Sequence, residues 1–531
     1  MTLPAIDKLE AVPGEVLHAL RARCAEAQYD DDLIMRMAAL VPEVGGPDYL
    51  PVLQYVLRHR DDSAAKLGRL FAYADTLDAQ ESTQVLGESL IDSLLQAHLL
   101  ARQSDGGIRS NFHLRPFDGL WLVADDPAGG SDAVMPPAGT TRQIAQVLPE
   151  HVTMSTLDIG CGPGSLALVA ARLGAPTVVG TDVNARAIGM ARFNARLNDL
   201  AGRCEFHVGD LTAPVSGRRF ALVLAQPPYV ILPPESQAVT YLHGGHTGEE
   251  IALRLIREVP DVLEPGGRAL VLMEGAVRPD EPLHARIKPV LGDAPVDLLV
   301  LAAPGPTPVV QVMGYASLEA PEGGPAYRAA VQRYFDHLES IDAREFHHAL
   351  VLIRAHPEDS DAVRRGRPRS TRAANSRGAG ALPRLAATVP VRALSGGDAT
   401  ALQNLLASID VAALGEEHLL HQAIRTAPST RWVEERPRPD PTAQPQRSVH
   451  FTWNSFGSDV VLSEERFVLA AMLDQAPTIG DAICEYTSAT DVPADTARAK
   501  VLAFVREGLM RGLFQPAALA RSGVERKPAA D

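Results

Sequence analysis

The sequence predicts an α/β domain, built on a largely parallel sheet, at the middle of the chain, with a mostly helical module on each side. Three observations predict it. From about Thr153 onward, short apolar runs alternate with amphipathic runs, the rhythm of strand–helix–strand units. A glycine-rich turn, Asp158-Ile159-Gly160-Cys161-Gly162-Pro163-Gly164, stands where the first apolar run meets the first amphipathic one. The flanks instead repeat apolar residues at three-to-four spacing, the period of helices. A chain of 531 residues also exceeds one ordinary domain.

Residues 1–125 read as the first helical module. The segments AKLGRLFAYADTL and QVLGESLIDSLLQAHLLAR are expected helices, the second with Leu86, Leu90, Leu94 and Leu95 on one face. That run is expected to end at the turn Ser104-Asp105-Gly106-Gly107, with a strand in FDGLWLVADD after it. Helices followed by a turn and short strands give a winged-helix-like outline.

The central domain is expected over 126–355. Its strands are STLDIG, PTVVGTDV, CEFHVGD, FALVLAQPPY and GRALVLME, continuing through VDLLVLAAP and HHALVLIR. Its helices are SLALVAARLG, NARAIGMARFNARLND and GEEIALRLIREVPDVL. Residues 356–388 are rich in Arg, Ser, Gly, Ala and Pro and read as a basic disordered linker. Residues 389–531 read as a second helical, winged-helix-like module, interrupted by the Pro-rich stretch Glu435–Arg447.

Charge and cysteine content narrow the function classes. A formal net charge of −15 disfavours diffuse attraction to nucleic acid or to an anionic membrane. The four cysteines, Cys24, Cys161, Cys204 and Cys484, form no paired spacing, which argues against a zinc site, or any metal site, and against a disulfide framework. They suit a reducing compartment. The opening MTLPAIDKLEAVPGE lacks the pattern of a signal peptide, and no apolar stretch approaches the ~20 residues of a membrane span. A cytoplasmic protein is expected.

The glycine turn follows a strand and opens a helix, the setting of a nucleotide-binding loop in a Rossmann-like sheet. Three acids favour S-adenosylmethionine as the ligand over a dinucleotide. Asp158 opens the turn, where a carboxylate meets a cation but repels a pyrophosphate. Asp182 ends the next strand, about 20 residues on, where an acid binds ribose hydroxyls. Asp210 ends the third, within reach of an adenine amino group. The candidate cofactor-binding residues are Asp158, Gly160, Cys161, Gly162, Gly164, Asp182, Val183, Asp210 and Leu211. In this arrangement the stretch from Thr153 to Leu272 resembles the class I S-adenosylmethionine-dependent methyltransferases. The resemblance implies that Gly160, Gly162 and Gly164 pass beside the methionine part of the cofactor.

The fourth strand runs into Gln226-Pro227-Pro228-Tyr229. This resembles the (Asn/Asp/Ser)-Pro-Pro-(Tyr/Phe/Trp) motif of amino-group methyltransferases, and these four are the candidate catalytic residues. Two prolines give a rigid, donor-free backbone. Nearby carbonyls then accept from an incoming amino group, and the ring offers a stacking face. Catalysis of this kind is proximity and electrostatics, without a covalent intermediate. Gln226 departs from the motif by one methylene.

Downstream, Tyr241-Leu242-His243-Gly244-Gly245-His246-Thr247-Gly248-Glu249-Glu250 precedes a helix. Its GGxxG pattern is similar to the HemK-type glutamine N5-methyltransferases and to the related "small" rRNA methyltransferases; the HemK-type enzymes carry a helical domain ahead of the catalytic one. Ser131-Asp132-Ala133-Val134-Met135-Pro136-Pro137 resembles the segment that closes over cofactor and substrate in that group. In the linker, Arg364-Arg365-Gly366-Arg367-Pro368-Arg369 resembles an AT-hook core, but reads first as a solvated basic run, since short Arg-Gly-Pro runs arise readily in Arg-rich linkers.

The leading expectation is N-methylation of a side-chain amide or amine in a protein or peptide. Three alternatives stay open: N- or O-methylation of a small natural product, methylation of an rRNA or DNA base, and a DNA-binding regulator that senses S-adenosylmethionine.

Overall fold

The computed structural model describes residues 3–33, 49–126, 129–234, 236, 242–278, 280–320, 322–357, 385–391, 393–394, 399–427, 430–435, 446–451 and 458–520. The Arg364–Arg369 segment, Tyr241 and most of the expected linker lie outside them. The chain divides into two compact units, the first comprising 1–145, 150–296 and 305–357.

The first unit opens with helices. Asp62 caps Ser63–Leu67, and Asp78 with Glu81 forms a capping box on Ala79–Leu86. The expected long helix after residue 84 is two helices, because Gly87 takes φ +78° and turns the chain between Leu86 and Glu88–Gln96. Strands β1 (Leu100–Arg102) and β2 (Ile108–Ser110) then pair across the Ser104–Gly107 turn. The single strand expected in FDGLWLVADD belongs to a hairpin, β3 (His113–Phe117) and β4 (Leu120–Ala124). Asp118 and Gly119 both take positive φ between them, as a two-residue hairpin turn requires.

The central strands follow: β5 (Thr156–Ile159), β6 (Val178–Asp182), β7 (Cys204–Val208), β8 (Phe220–Ala225), β9 (Leu263–Ala276), β10 (Val296–Pro304) and β11 (Phe346–Ala355). Within the first unit the sheet order is β11-β9-β8-β5-β6-β7. The five from β7 to β9 run parallel, and β11 returns antiparallel to β9. The chain steps outward from β5 to β7 and then crosses back to place β8 beside β5. Ligands of open α/β sheets bind at the strand carboxyl ends beside such a reversal.

The N-terminal helices share one apolar core with Ala187, Met190, Phe193 and Leu197 of the helix Ala185–Leu197. Polar contacts fix the same junction. Asp125, fully buried, takes a two-pronged bond from Arg186 at 2.5 and 2.7 Å. Asn194, also fully buried, pairs with both backbone groups of Val123 and donates to Pro163 O in the glycine turn. A buried carboxamide with its groups satisfied holds elements in one register.

The second unit comprises 146–149, 297–304 and 358–531. In it β10 pairs in parallel with β12 (Ala386–Pro390). After the helix Ala399–Ala412 come β13 (Ile424–Thr426), β14 (Thr430–Glu435), β15 (Gln446–Phe451) and β16 (Ser458–Val461), the last three in an antiparallel sheet. The helices Glu464–Gln475, Ile479–Ala489 and Ala494–Arg511 bury Leu469, Ile483, Val501 and Leu509 in a common core. β17 (Phe514–Pro516) then pairs with β13. Among the described residues, no helix is long and apolar enough to cross a membrane.

Candidate active site

A cavity of about 460 Å³ opens at the carboxyl ends of β5, β6, β7 and β8. It lies within the roughly 300–1,000 Å³ of small-ligand sites. Asp158, Gly160, Cys161, Gly162, Asp182, Val183, Asp210, Leu211 and Gln226 to Tyr229 all line it. Gly164 stands apart from the wall. Its φ is +86°, and a Cβ there would meet Ala191 Cβ at 3.2 Å, so this glycine lets two helices pack.

The glycine turn is held by its own neighbours. Gly160 N and Cys161 N donate to Thr181 O at 2.8 and 3.0 Å. Asp182 accepts from Gly162 N and from Asn184 N, each at 2.8 Å, tying the turn to the end of β6. Asp158 accepts from Ala167 N at 2.8 Å inside the following helix. Burial pushes the Asp158 carboxyl up to about 7, against the bond from Ala167 and with help from the charge of Asp182. Burial also raises Asp182, opposed by its two backbone donors. Two carboxyls that gain from a nearby cation therefore sit side by side at the end of the sheet.

Asp210 is exposed and pairs with Arg254 of the helix Glu250–Val262, which also reaches the cavity. Leu211 beside it takes φ +45°, uncommon for a branched residue, and its carbonyl accepts from Thr181 Oγ1 at 2.9 Å. Val183 keeps 67% of its surface exposed and adds apolar area to the wall.

At the end of β8, the Gln226 carboxamide is held from across the cavity. Thr141 Oγ1 donates to Gln226 Oε1 at 2.9 Å, and Gln226 Nε2 donates to Thr140 Oγ1 at 2.7 Å. Both threonines lie in the first turn of the helix Gly139–Gln146. Burial raises the Tyr229 phenol above its usual range; the neighbouring Thr140 and Gln226 side chains oppose the shift and the charge of Glu274 adds to it.

The GGxxG segment packs on the Pro-Pro-Tyr loop. A Cβ on Gly244 would lie 2.7 Å from Tyr229 Cα, and one on Gly248, at φ +79°, would lie 2.6 Å from Tyr229 O. Gly244 N donates to Val230 O at 3.2 Å. His243 lines the cavity. His246 turns its ring edge to His337, 4.9 Å between centroids, and its carbonyl pairs with His337 Nε2 at 2.9 Å. Ala133 to Pro137 form part of the cavity wall, anchored by Val134 N donating to Asp125 at 2.9 Å.

Sequence reasoning missed several groups. Thr140 and Thr141 belong to no motif. Tyr315 lines the cavity from the helix Pro308–Glu319. Glu274, buried, bonds to Gln311 at 2.5 Å and to His348 at 3.1 Å behind Tyr229. Register alone could have found that pair, since Glu274 and His348 face each other across β9 and β11.

Residues 138–290 match the family model described as the methyltransferase small domain. The chain is 31% identical over 161 residues to a Methanocaldococcus jannaschii protein that carries the name protein N5-glutamine methyltransferase, covering 30% of this chain and 80% of that one. It is 36% identical over 120 residues to a ribosomal protein uL3 glutamine methyltransferase of Bradyrhizobium diazoefficiens, covering 21% of this chain and 38% of that one. It is 34% identical over 135 residues to a release factor glutamine methyltransferase of Caulobacter vibrioides, covering 24% and 47%. The chain thus spans four-fifths of the first relative and less than half of the other two.

Proposed function

We propose, from the premise that the chain belongs to the methyltransferase small-domain family, that it transfers a methyl group from S-adenosylmethionine to a side-chain amide nitrogen of a polypeptide. One observation carries the reading: the glycine turn with its two buried carboxyls and the Gln226–Tyr229 loop line the same cavity. The names of the relatives, which act on glutamine in proteins, support a carboxamide acceptor.

The donor set fits the cofactor. Asp158 faces its cationic methionine end, and the Asp182 oxygens keep lone pairs for ribose hydroxyls beyond the two backbone bonds. Val183 and Leu211 give apolar surface for the adenine, with Asp210 at its edge. When bound, the cofactor supplies an electrophilic methyl on a sulfonium. The chain's own residues hold the acceptor: the carbonyls of the Gln226–Tyr229 loop accept its N–H groups, and the Tyr229 ring stacks on the planar amide. Holding the nitrogen in line is the main catalytic contribution. The flanking helical modules, read as winged-helix-like, are assigned to presenting the polypeptide.

The test is incubation of the full chain with tritium-labelled S-adenosylmethionine and purified release factor or ribosomes. Label in a protein band, released as N5-methylglutamine on proteolytic digestion, supports the reading. Label confined to rRNA or to small molecules overturns it.

A further inference from the structure

Gln226 is the one place where the loop departs from the motif it resembles, and the structure gives that departure a partner. The carboxamide bridges two hydroxyls of one helix, 86 and 85 residues earlier, at 2.7 and 2.9 Å. Both hydroxyls and the carboxamide line the cavity. We infer that Thr140 and Thr141 are positioning residues for the methyl acceptor: they clamp the Gln226 carboxamide so that its carbonyl faces the incoming nitrogen in one orientation. The inference rests on the amide-methylation reading above and adds to it which residues set the geometry.

The clamp has a physical need. A free glutamine side chain rotates about three bonds and can turn either its carbonyl or its amino half to the cavity. Only the carbonyl accepts from an acceptor N–H. Thr141 Oγ1 accepts from Ala138 N at 3.3 Å and gives its proton to the Gln226 carbonyl, which stands on the Thr141 side. Thr140 takes the amino half, so both ends of the carboxamide are held.

The helix that carries the threonines is itself held. Arg142, the next residue, pairs with Asp31 at 2.6 Å and lies over the Phe117 ring at 4.9 Å. Length also matters. An asparagine at 226 would end about 1.5 Å short, one carbon–carbon bond. Bonds of 2.7 and 2.9 Å would then stretch past the 3.5 Å limit of a hydrogen bond. The residue that restores the motif should therefore impair this chain.

The experiment uses the full chain and four variants: Thr140→Val with Thr141→Val, the matching double Ser variant, Gln226→Asn, and Gln226→Asn with both Val changes. Labelled S-adenosylmethionine and the polypeptide acceptor give kcat and KM, and calorimetry with S-adenosylhomocysteine gives cofactor affinity. The Val pair should lower kcat by about 10- to 100-fold, as a displacement near 1 Å does, with cofactor affinity within about twofold. The Ser pair should recover most of the rate, because it keeps both hydroxyls. Gln226→Asn should lose as much as the Val pair, and the combination no more than either. A Val pair within about twofold of wild type, or Gln226→Asn faster than wild type, overturns the clamp. If label enters rRNA or a small molecule, the amide reading fails and the same variants are measured on that acceptor. If no acceptor is found, crystal structures of wild type and the Val pair decide: an unchanged Gln226 carboxamide in the Val pair refutes the clamp, and a rotated one upholds it.

Discussion

Substituting Gly244 by alanine tests whether the GGxxG segment sets the position of the Pro-Pro-Tyr loop. The added Cβ would lie 2.6 Å from Gly248 O and 2.7 Å from both Tyr229 C and Tyr229 Cα. All three are backbone atoms, so no side chain can rotate away. Ordinary contact begins at 3.4 Å, so about 0.7 to 0.8 Å must be taken up by backbone movement. Gly244 is bonded to Val230 O at 3.2 Å, and Val230 N to Leu242 O at 3.2 Å, so the two segments shift together or lose that pairing. Overpacking of this kind costs about 1–3 kcal/mol in stability. A displacement approaching 1 Å at a reacting centre costs up to about 100-fold in rate. Gly244→Ala should therefore lose about 10- to 100-fold in kcat. S-adenosylhomocysteine affinity should stay within about threefold, since Asp158 and Asp182 are held by other contacts. Gly202→Ala, where nothing lies within 4 Å, is the control and should match wild type. A Gly244→Ala protein with normal melting and kcat within about threefold of wild type would refute the reasoning.

Asp158 gives a pH signature. Its carboxyl is raised from 3.8 to about 7 in the fold by burial, so it favours the cofactor-free fold at acid pH, and that advantage is lost as pH rises through about 7. A bound cation prefers the carboxylate, so S-adenosylmethionine affinity should increase between pH 6 and pH 8 with release of a proton, measured by calorimetry in buffers of different ionisation enthalpy. Asp158→Asn should bind weakly at every pH; a slope that persists in it would assign the titration elsewhere. Asp182→Ala should weaken S-adenosylhomocysteine binding at least about tenfold, and more than Asp210→Ala does. Asp182 satisfies two backbone amides of the binding loop, whereas Asp210 is exposed and already paired with Arg254; equal losses would count against this ordering. Arg186→Met leaves the fully buried Asp125 carboxylate without its cation and should destabilise the first unit by about 3–5 kcal/mol in urea melts. Adding Asp125→Asn should recover part of that loss.

The glycine-turn wall of the cavity and the Gln226–Tyr229 loop were both legible in the sequence, and the side chains that support that loop were not. Asp158, Asp182 and Asp210 stand at or just past the ends of consecutive strands. Their spacing records the sheet, because each strand–helix unit returns the chain to the same edge. Even so, the sequence could not tell that Gly164 serves helix packing or that Asp210 is matched by Arg254, since both depend on helices packed from elsewhere. Gly87 shows the same limit in the flank. The apolar spacing of Leu86, Leu90 and Leu94 continues across it, while one residue at φ +78° breaks the helix axis. Thr140 and Thr141 were invisible for a further reason: a threonine pair in a short helix has no periodic or compositional mark, and its meaning lies in a contact 85 or 86 residues away.

That difference in range bears on how the two halves of the cavity behave. Asp182 bonds to residues 2 and 20 positions away, and Asp158 to one 9 positions away. These contacts form within two neighbouring strand–helix units, and they survive as long as β5 and β6 stay paired. The acceptor side draws on Thr140, Gln226, Gly244 and Tyr315, and its supporting helix is anchored to Asp31, 111 residues before Arg142. Of these, the Arg142–Asp31 pair is made only when the N-terminal helical layer is docked on the sheet. The buried Asp125–Arg186 pair and the buried Asn194 carboxamide sit at that junction. The helical layer is thus fused to the sheet by satisfied buried polar groups. It fixes the helix whose hydroxyls orient Gln226, so acceptor geometry depends on that layer being docked.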